Sequence, residues 1–289
     1  MLEYGIIVVG RNEGHVLERT LRQCLNYFKD KSYQILYIDS NSEDNSIEIA
    51  TNLGIQTITT KRKGSAVARN IGLKNVKAEK LIMLDADMEI IPNGMNSVLN
   101  LLDENKIVTS DYTNYYHLSN KFEYFRHPHR IKYCGGFIAF HYSLLENLSY
   151  DEKLIRMQDV LFSYLLAKKS KSKIKICRKS AFYHHTIEYL DEERALGHNI
   201  NNYFKYRGIL LFKRPELGIL MRPIKLLAFN IIVCIIIANY HLLYTVLYYC
   251  LIVIIRTKFN LTYVEIRNYI LTDGGIIFGF FEELKSSLK

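Results

Sequence analysis

Tryptophan is missing from this chain of 289 residues, and proline occurs only four times. Any mechanism that needs an indole is therefore excluded. Cys24, Cys134, Cys177, Cys234 and Cys250 are widely spaced, with no pair at zinc-ligand or redox-motif distance. They read as small buried hydrophobes in a reducing compartment. Met1-Leu2-Glu3-Tyr4 runs straight into an apolar strand pattern without a basic region or cleavage site, so no signal peptide is expected and the catalytic part is placed in the cytoplasm. No internal repeat or low-complexity tract is visible. Also lacking is a G-x-G-x-x-G after the first strand, since Gly10-Arg11-Asn12-Glu13-Gly14 does not supply it. That argues against a dinucleotide-dependent oxidoreductase.

What is present is a large apolar fraction and an excess of base. The chain is 49% hydrophobic, enough for a sizeable core, and carries 38 Lys and Arg against 29 acids for a net charge of +9. Such a balance favours anionic partners: a phosphorylated substrate, anionic lipid or nucleic acid. Short runs rich in Ile, Val and Tyr at Gly5–Val9, Tyr33–Ile38, Ile55–Ile58 and Leu81–Leu84 predict strands. Helical spacing marks Leu17, Leu21, Leu25 and Phe28, then Ile47, Ala50 and Leu53, with Ser42 or Asp44 able to cap the second helix. A further helix is expected near Val160–Ala167 and a strand near Lys173–Cys177. The alternation predicts an α/β fold with right-handed crossovers and a mainly parallel sheet flanked by helices. Ligands collect beyond the carboxyl ends of such strands.

Acids stand at those ends. Leu81-Ile82-Met83-Leu84 runs into Asp85-Ala86-Asp87, two carboxylates one residue apart, which repel unless a cation or a set of donors compensates them. A hard divalent cation such as Mg²⁺ or Mn²⁺, shared with substrate phosphate oxygens, is one solution; a solvated acidic turn is the other. Asp39 ends the second strand. Gly64 and the small residues after Lys61-Arg62-Lys63 let a helix N-terminus approach an anion, and Arg69 can fork onto phosphate. Acidic strand ends fit poorly with nucleic acid, which is not expected as a partner.

In order, Arg11-Asn12-Glu13, Asp39 with Ser42 and Asp44, Gly64 through Asn70, Asp85-Ala86-Asp87, Gly135-Gly136-Phe137 and Met157-Gln158-Asp159 resemble the inverting family-2 glycosyltransferases of the GT-A fold. The resemblance covers about residues 4–185. It implies that Asp39 reads the nucleotide base, with Arg11, Asn12 and Glu13 near base and ribose and Arg69 near base or diphosphate. It also implies that Asp85 and Asp87 hold a divalent ion, Asp87 more directly, with Asp159 as general base for single displacement. His185 of the His184-His185 pair is the candidate for completing the metal site, against the plainer reading of a polar pair at a strand end. Two departures stand out: no proline precedes the Asn-Glu pair, and Gln158 stands where Glu is usual. Processive synthases of the family carry Q-x-x-R-W, which a chain without Trp cannot have, so a one-sugar, non-processive transferase is expected. The implied partners are a nucleotide-sugar donor and a saccharide or lipid-linked acceptor. A non-catalytic, membrane-tethered nucleotide-sugar-binding protein and a polyprenyl-phosphate glycosyltransferase are the alternatives.

Two other segments attract attention. Between Tyr112 and Tyr133 aromatics interleave with His117, Arg126, His127, His129 and Arg130, either to cover an acceptor or to pack on the sheet. No carboxylate lies between Leu217 and Val264, and Leu226–Ile255 carries no formal charge. As one helix the latter would extend ~45 Å, against ~30 Å of hydrocarbon. Basic residues flank it on both sides, which favours both ends on the cytoplasmic face and a break near Asn239-Tyr240-His241. The expected organisation is thus a GT-A catalytic domain over residues 1–215 and a hydrophobic, helical, membrane-associated region over 216–289. The region would lie at the cytoplasmic face of the cell membrane, like the tails of bacterial transferases that build surface polysaccharides or lipid-linked saccharides.

Overall fold

The computed structural model describes residues 1–129, 131–186 and 209. Met1–Glu188 forms one compact unit. The expected membrane-associated region, 216–289, lies outside the described residues. Among those residues no helix is long and apolar enough to cross a membrane.

Four strands come where the apolar runs predict them: β1 (Leu2–Gly10), β2 (Tyr33–Asp39), β3 (Gln56–Thr59) and β4 (Ala78–Asp85). Between them lie α1 (Gly14–Phe28), α2 (Ser46–Asn52) and α3 (Ser65–Asn75). Next in the chain are β5 (Met88–Ile90), α4 (Pro92–Glu104), β6 (Ile107–Ser110), the hairpin β7 (Tyr112–Tyr116) and β8 (Lys121–Phe125), β9 (Ile138–His141), α5 (Gln158–Ser170), β10 (Lys175–Cys177) and β11 (Phe182–Thr186). The large sheet has the order β10-β6-β9-β4-β1-β2-β3. The pairs β1–β2, β1–β4, β2–β3 and β6–β10 are parallel, and only β9 runs antiparallel to its neighbours β4 and β6. The mainly parallel α/β reading holds for this unit.

Strand alternation divides the core into two layers. Ile6, Val8, Ile35, Tyr37, Ile82 and Leu84 face α1 and α4, meeting Leu17, Leu21, Phe28, Met95 and Leu102. Ile7, Val9, Leu36, Ile38, Leu81 and Met83 face the opposite way, onto Ala66, Ala68 and Leu73 of α3 and Phe162 and Leu166 of α5. Every one of these strand side chains is at most 6% exposed, so both faces are covered, as a parallel sheet requires. Gly72 permits α3 to lie close, because a methyl group there would meet the Ile7 side chain at 2.4 Å. Cys24, Cys134 and Cys177 are free and buried, in keeping with the hydrophobe reading.

A second sheet, in the order β5-β11-β7-β8, stands beside the first. The aromatic stretch from Tyr112 forms its hairpin. Tyr112 stacks between Phe125 at 4.6 Å and Phe182 at 5.3 Å, while Leu118, Phe122 and Tyr124 stay at least half exposed. Buried Asp111 pins the hairpin's base by accepting hydrogen bonds from Tyr124 Oη and the His127 N–H.

Candidate active site

The parallel strands β1, β2 and β4 end side by side, in register Val9–Asp85 and Gly10–Asp39. Their loops therefore converge on one edge. Ala86 N–H donates to Val9 O at 2.8 Å, which holds Asp85-Ala86-Asp87 against the end of β1. Ala86 leaves no room at Gly10, where a methyl group would come within 2.5 Å of its Cβ.

The two first loops brace each other. Asn12 and Asn41 both adopt positive φ, at 57° and 61°. Asn12 N–H donates to Ser42 Oγ, Asn12 Oδ1 accepts from Glu43 N–H, and Glu13 N–H donates to Ser46 Oγ. Asp44 accepts from Gly14 N–H and from Ser46 N–H, so it holds the start of α2 as a cap would. Arg11 lies exposed, 3.5 Å from Glu43. Asp39 is fully buried and accepts from Ser42 N–H at 2.9 Å and Tyr37 Oη at 3.3 Å. It thus fixes the loop, while each oxygen keeps lone-pair capacity for a further donor.

Arg69 reaches the edge from α3. It is 4% exposed, pairs with Asp85 Oδ1 at 2.5 Å and lies over the Tyr150 ring at 5.6 Å, yet its Nη1 has no partner. Asp159 arrives from the first turn of α5. Its Oδ2 accepts from Gly136 N–H and its Oδ1 from Val160 N–H, at 2.9 and 2.8 Å. Gly136, at φ 66°, is a close-approach point: a methyl group there would meet Met88 Cε at 2.9 Å and Asp85 Oδ2 at 3.7 Å. Asp85, Arg69 and Asp159 therefore lie together.

Concentrated acid sets the electrostatics. Burial, then the charges of Asp87, Asp85 and Asp44, pushes the Glu13 carboxyl up to about 8. The Asp85 side chain is 30% exposed. Desolvation is the leading cause that raises its pKa; Asp87 and Asp159 add to this, and Arg69 opposes it. Such an edge favours a cation.

One correction concerns the histidine. His185 does not join Asp87. Its Nε2 lies 3.0 Å from Glu89 Oε2, its Nδ1 is 2.8 Å from His117 Nε2, and it is 3% exposed. Successive strand residues point to opposite faces, so it is His184 that reaches the acids. His184 Nε2 is 3.3 Å from Asp87 Oδ2, and its Nδ1 is 2.9 Å from Asn114 Oδ1. Burial lowers the His184 pKa, but the hydrogen bond and charge of Asp87 outweigh it and the net shift is upward. With Nδ1–H given to Asn114, Nε2 turns a lone pair toward a carboxylate oxygen, and only a proton or a shared cation makes that pairing favourable. Asp87 Oδ1 is buried without a partner. Among the described residues no group of three His, Cys, Asp or Glu is arranged to hold a metal unaided. Asp87 and His184 do fit a hard cation that takes its other ligands from water and a diphosphate.

Comparison with known proteins bears on the family and the fold. The family model described as "Glycosyl transferase family 2" matches residues 5–165, over half the chain. The chain belongs to this family. Over 112 residues it is 31% identical to the poly(ribitol-phosphate) β-N-acetylglucosaminyltransferase TarP of Staphylococcus aureus, covering 36% of this chain and 34% of TarP. An uncharacterized glycosyltransferase of Rickettsia conorii is 28% identical over 110 residues, 37% of this chain and 18% of that one. The chain thus spans well under half of these relatives' length. Two solved structures share the family fold. The mannosyltransferase PcManGT of Pyrobaculum calidifontis, in complex with GDP-Man and Mn²⁺, aligns with a TM-score of 0.61 and 15% identity over 98% of this chain and 87% of its own. Staphylococcus aureus TarS 1-349 in complex with UDP-GlcNAc aligns with a TM-score of 0.54 and 13% identity over 72% and 67%. These likenesses speak for the GT-A-like fold.

Sequence reasoning named the His184-His185 pair but chose His185 over His184, and it missed Asn114 and the Gln158–Ser65 contact. Strand periodicity says that His184 and His185 face opposite ways, but not which of them meets the acids. Nothing in the sequence marked Asn114 or that contact.

Proposed function

We propose that this protein is an inverting, non-processive glycosyltransferase that moves one sugar from a nucleotide-sugar donor to a hydroxyl of a saccharide or lipid-linked acceptor. The observation that supports it best is the meeting of Arg69, Asp85 and Asp159, with Asp87 and His184 beside them, beyond the carboxyl ends of parallel strands. Asp39 accepts from the base, and the braced loops of Arg11-Asn12-Glu13 and Asn41–Ser46 border base and ribose. Lys61, Arg62 and Lys63 steer the diphosphate, and the N-terminus of α3 with Arg69 Nη1 receives it. Asp87 and His184 would hold a divalent ion, Mn²⁺ or Mg²⁺, with Asp85 behind them. When bound, that ion neutralises charge on the leaving diphosphate.

Asp159 takes the proton from the acceptor hydroxyl as the oxygen attacks the anomeric carbon from the face opposite the diphosphate. One displacement of this kind inverts the anomeric configuration. Gly136 N–H and Val160 N–H aim the carboxylate and leave lone pairs on both oxygens for the incoming proton. The rings of the β7–β8 hairpin offer stacking surface to an acceptor sugar, and the catalytic unit works at the cytoplasmic face of the cell membrane through residues 216–289.

A thermal-shift panel of UDP, GDP, TDP and CMP, each with and without Mn²⁺, tests the donor reading. A metal-dependent shift by one nucleotide is expected, and no shift with any of them would overturn the reading. Release of free nucleotide from the matching nucleotide sugar then separates an enzyme from a binding protein.

A further inference from the structure

Gln158 is 6% exposed, and its amide makes one hydrogen bond, Nε2 to Ser65 Oγ at 2.6 Å; its Oε1 has no partner. A buried primary amide with one end unsatisfied is costly, and an apolar side chain would fill the space without that cost. The bond it does make joins two parts of the site. Ser65 is the first residue of α3, next to Gly64, whose φ of 141° and N–H bond to Ser40 Oγ shape the loop 61–64, the donor loop of the proposed reaction. Gln158 is the first residue of α5, directly before Asp159, and Met157 ahead of it stands at φ 66°, a left-handed conformation that a side chain adopts only when its surroundings impose it.

Further bonds run the same way. The Asn70 side chain of α3 holds Tyr150 through both its carbonyl and its N–H, at 2.7 and 3.0 Å, and reaches Glu152 at 3.0 Å. Arg62, in the donor loop, pairs with Glu152 at 3.0 Å. Segment 150–158 is thus carried on α3 and its preceding loop, and Gln158 is the last tie before Asp159.

We propose that Gln158 is a positioning residue that transmits the seating of the donor loop through Ser65 to Asp159, so that the carboxylate is aimed only when α3 is in place. This rests on Asp159 being the general base of the proposed reaction. Because Asp159 has its own bonds to Gly136 and Val160, loss of the tie misaims it rather than releasing it.

The test is a double-mutant cycle on the full chain with Mn²⁺, reading UDP or GDP release from UDP-N-acetylglucosamine or GDP-mannose, alongside nucleotide affinity by calorimetry. Gln158→Ala and Ser65→Ala should each lower kcat by about 10- to 30-fold, a misplacement effect, and leave affinity within about 3-fold. The double variant should be no worse than the worse single one, since both break the same bond. Gln158→Glu, whose carboxylate can accept from the Ser65 hydroxyl, should recover kcat to within about 3-fold of wild type. Losses that multiply in the double variant, or that fall wholly on affinity, overturn the proposal. Should Gln158→Ala fail to fold, Ser65→Ala with Gln158→Glu decides it, since Ser65→Ala alone must still lower kcat. Normal turnover by Asp159→Asn would sink the general-base reading itself; an inactive Asp159→Asn beside fully active Gln158 and Ser65 variants would sink only the coupling.

Discussion

His184 and His185 are neighbours on β11, each within 3.3 Å of a carboxylate from the segment after β4, and they do opposite things. His185 is closed off: Glu89 and His117 take its two nitrogens, and Arg19 completes Glu89 at 3.2 Å. Burial, the leading cause, pulls the His185 pKa below its ordinary value, with Glu89 opposing and His117 and Arg19 adding to it. His184 is open: it is about one-third exposed, and its partner Asp87 keeps a buried oxygen with nothing bound. Residue type and neighbourhood in sequence do not separate a structural pair from a site. Satisfaction does, because a completed network gains nothing from a ligand and an incomplete one does.

The comparison breaks most readily at Asp87. Asp87→Asn should abolish transfer and the Mn²⁺-dependent part of nucleotide binding, by removing a charged oxygen ligand from a hard cation; full activity in excess chelator would contradict this. Asp159→Asn should keep nucleotide affinity but lose about 10²-fold or more in turnover, as removal of a general base does. If affinity falls instead while turnover survives, Asp159 is a binding residue. The two histidines should then part company. His184→Ala should cost about tenfold or more in turnover, as loss of a metal-site ligand or its support does, with little change in stability. His185→Ala should leave turnover of folded protein nearly intact and cost roughly 1–3 kcal/mol in denaturant unfolding, by stripping partners from a buried network. The reverse pattern would exchange their roles.

The smallest expected effect concerns pH. The Glu13 carboxyl is raised to about 8 in the folded chain from 4.5, so the folded state holds a proton that the unfolded state gives up. Its contribution is fully present below about pH 4.5 and is lost as pH rises through about 8. Glu13→Gln should therefore match wild type in melting temperature near pH 5 and exceed it by roughly 2–4 °C near pH 8 without metal. A gap that stays constant with pH would mean that neither burial nor the neighbouring acids raise the Glu13 carboxyl.

Local pattern was enough for much of the unit. β1, β2, β3 and β4 follow from short apolar runs, and α1 from the spacing of Leu17, Leu21 and Phe28, because period and length depend on adjacent residues alone. The order of acids at strand ends placed Asp39, Asp85 and Asp87 on one edge, since parallel crossovers leave no other arrangement. The Tyr112–Tyr133 stretch was ambiguous, since its aromatics suit a cover over an acceptor as well as packing on the sheet; only the pairing of β7 with β11 across the chain showed that Tyr112 packs on Phe182 while Phe122 and Tyr124 stay exposed.

Sequence by itself thus determined the alternating elements, the ligand edge and the chemical types gathered there. Tertiary structure alone decided which histidine faces Asp87, because one residue of strand register exchanges the two faces. It alone also showed that Gln158 meets Ser65 across the fold and that Arg69 and Asp87 each keep an atom unpaired, for hydrogen bonds between distant segments exist only once packing brings them within about 3 Å.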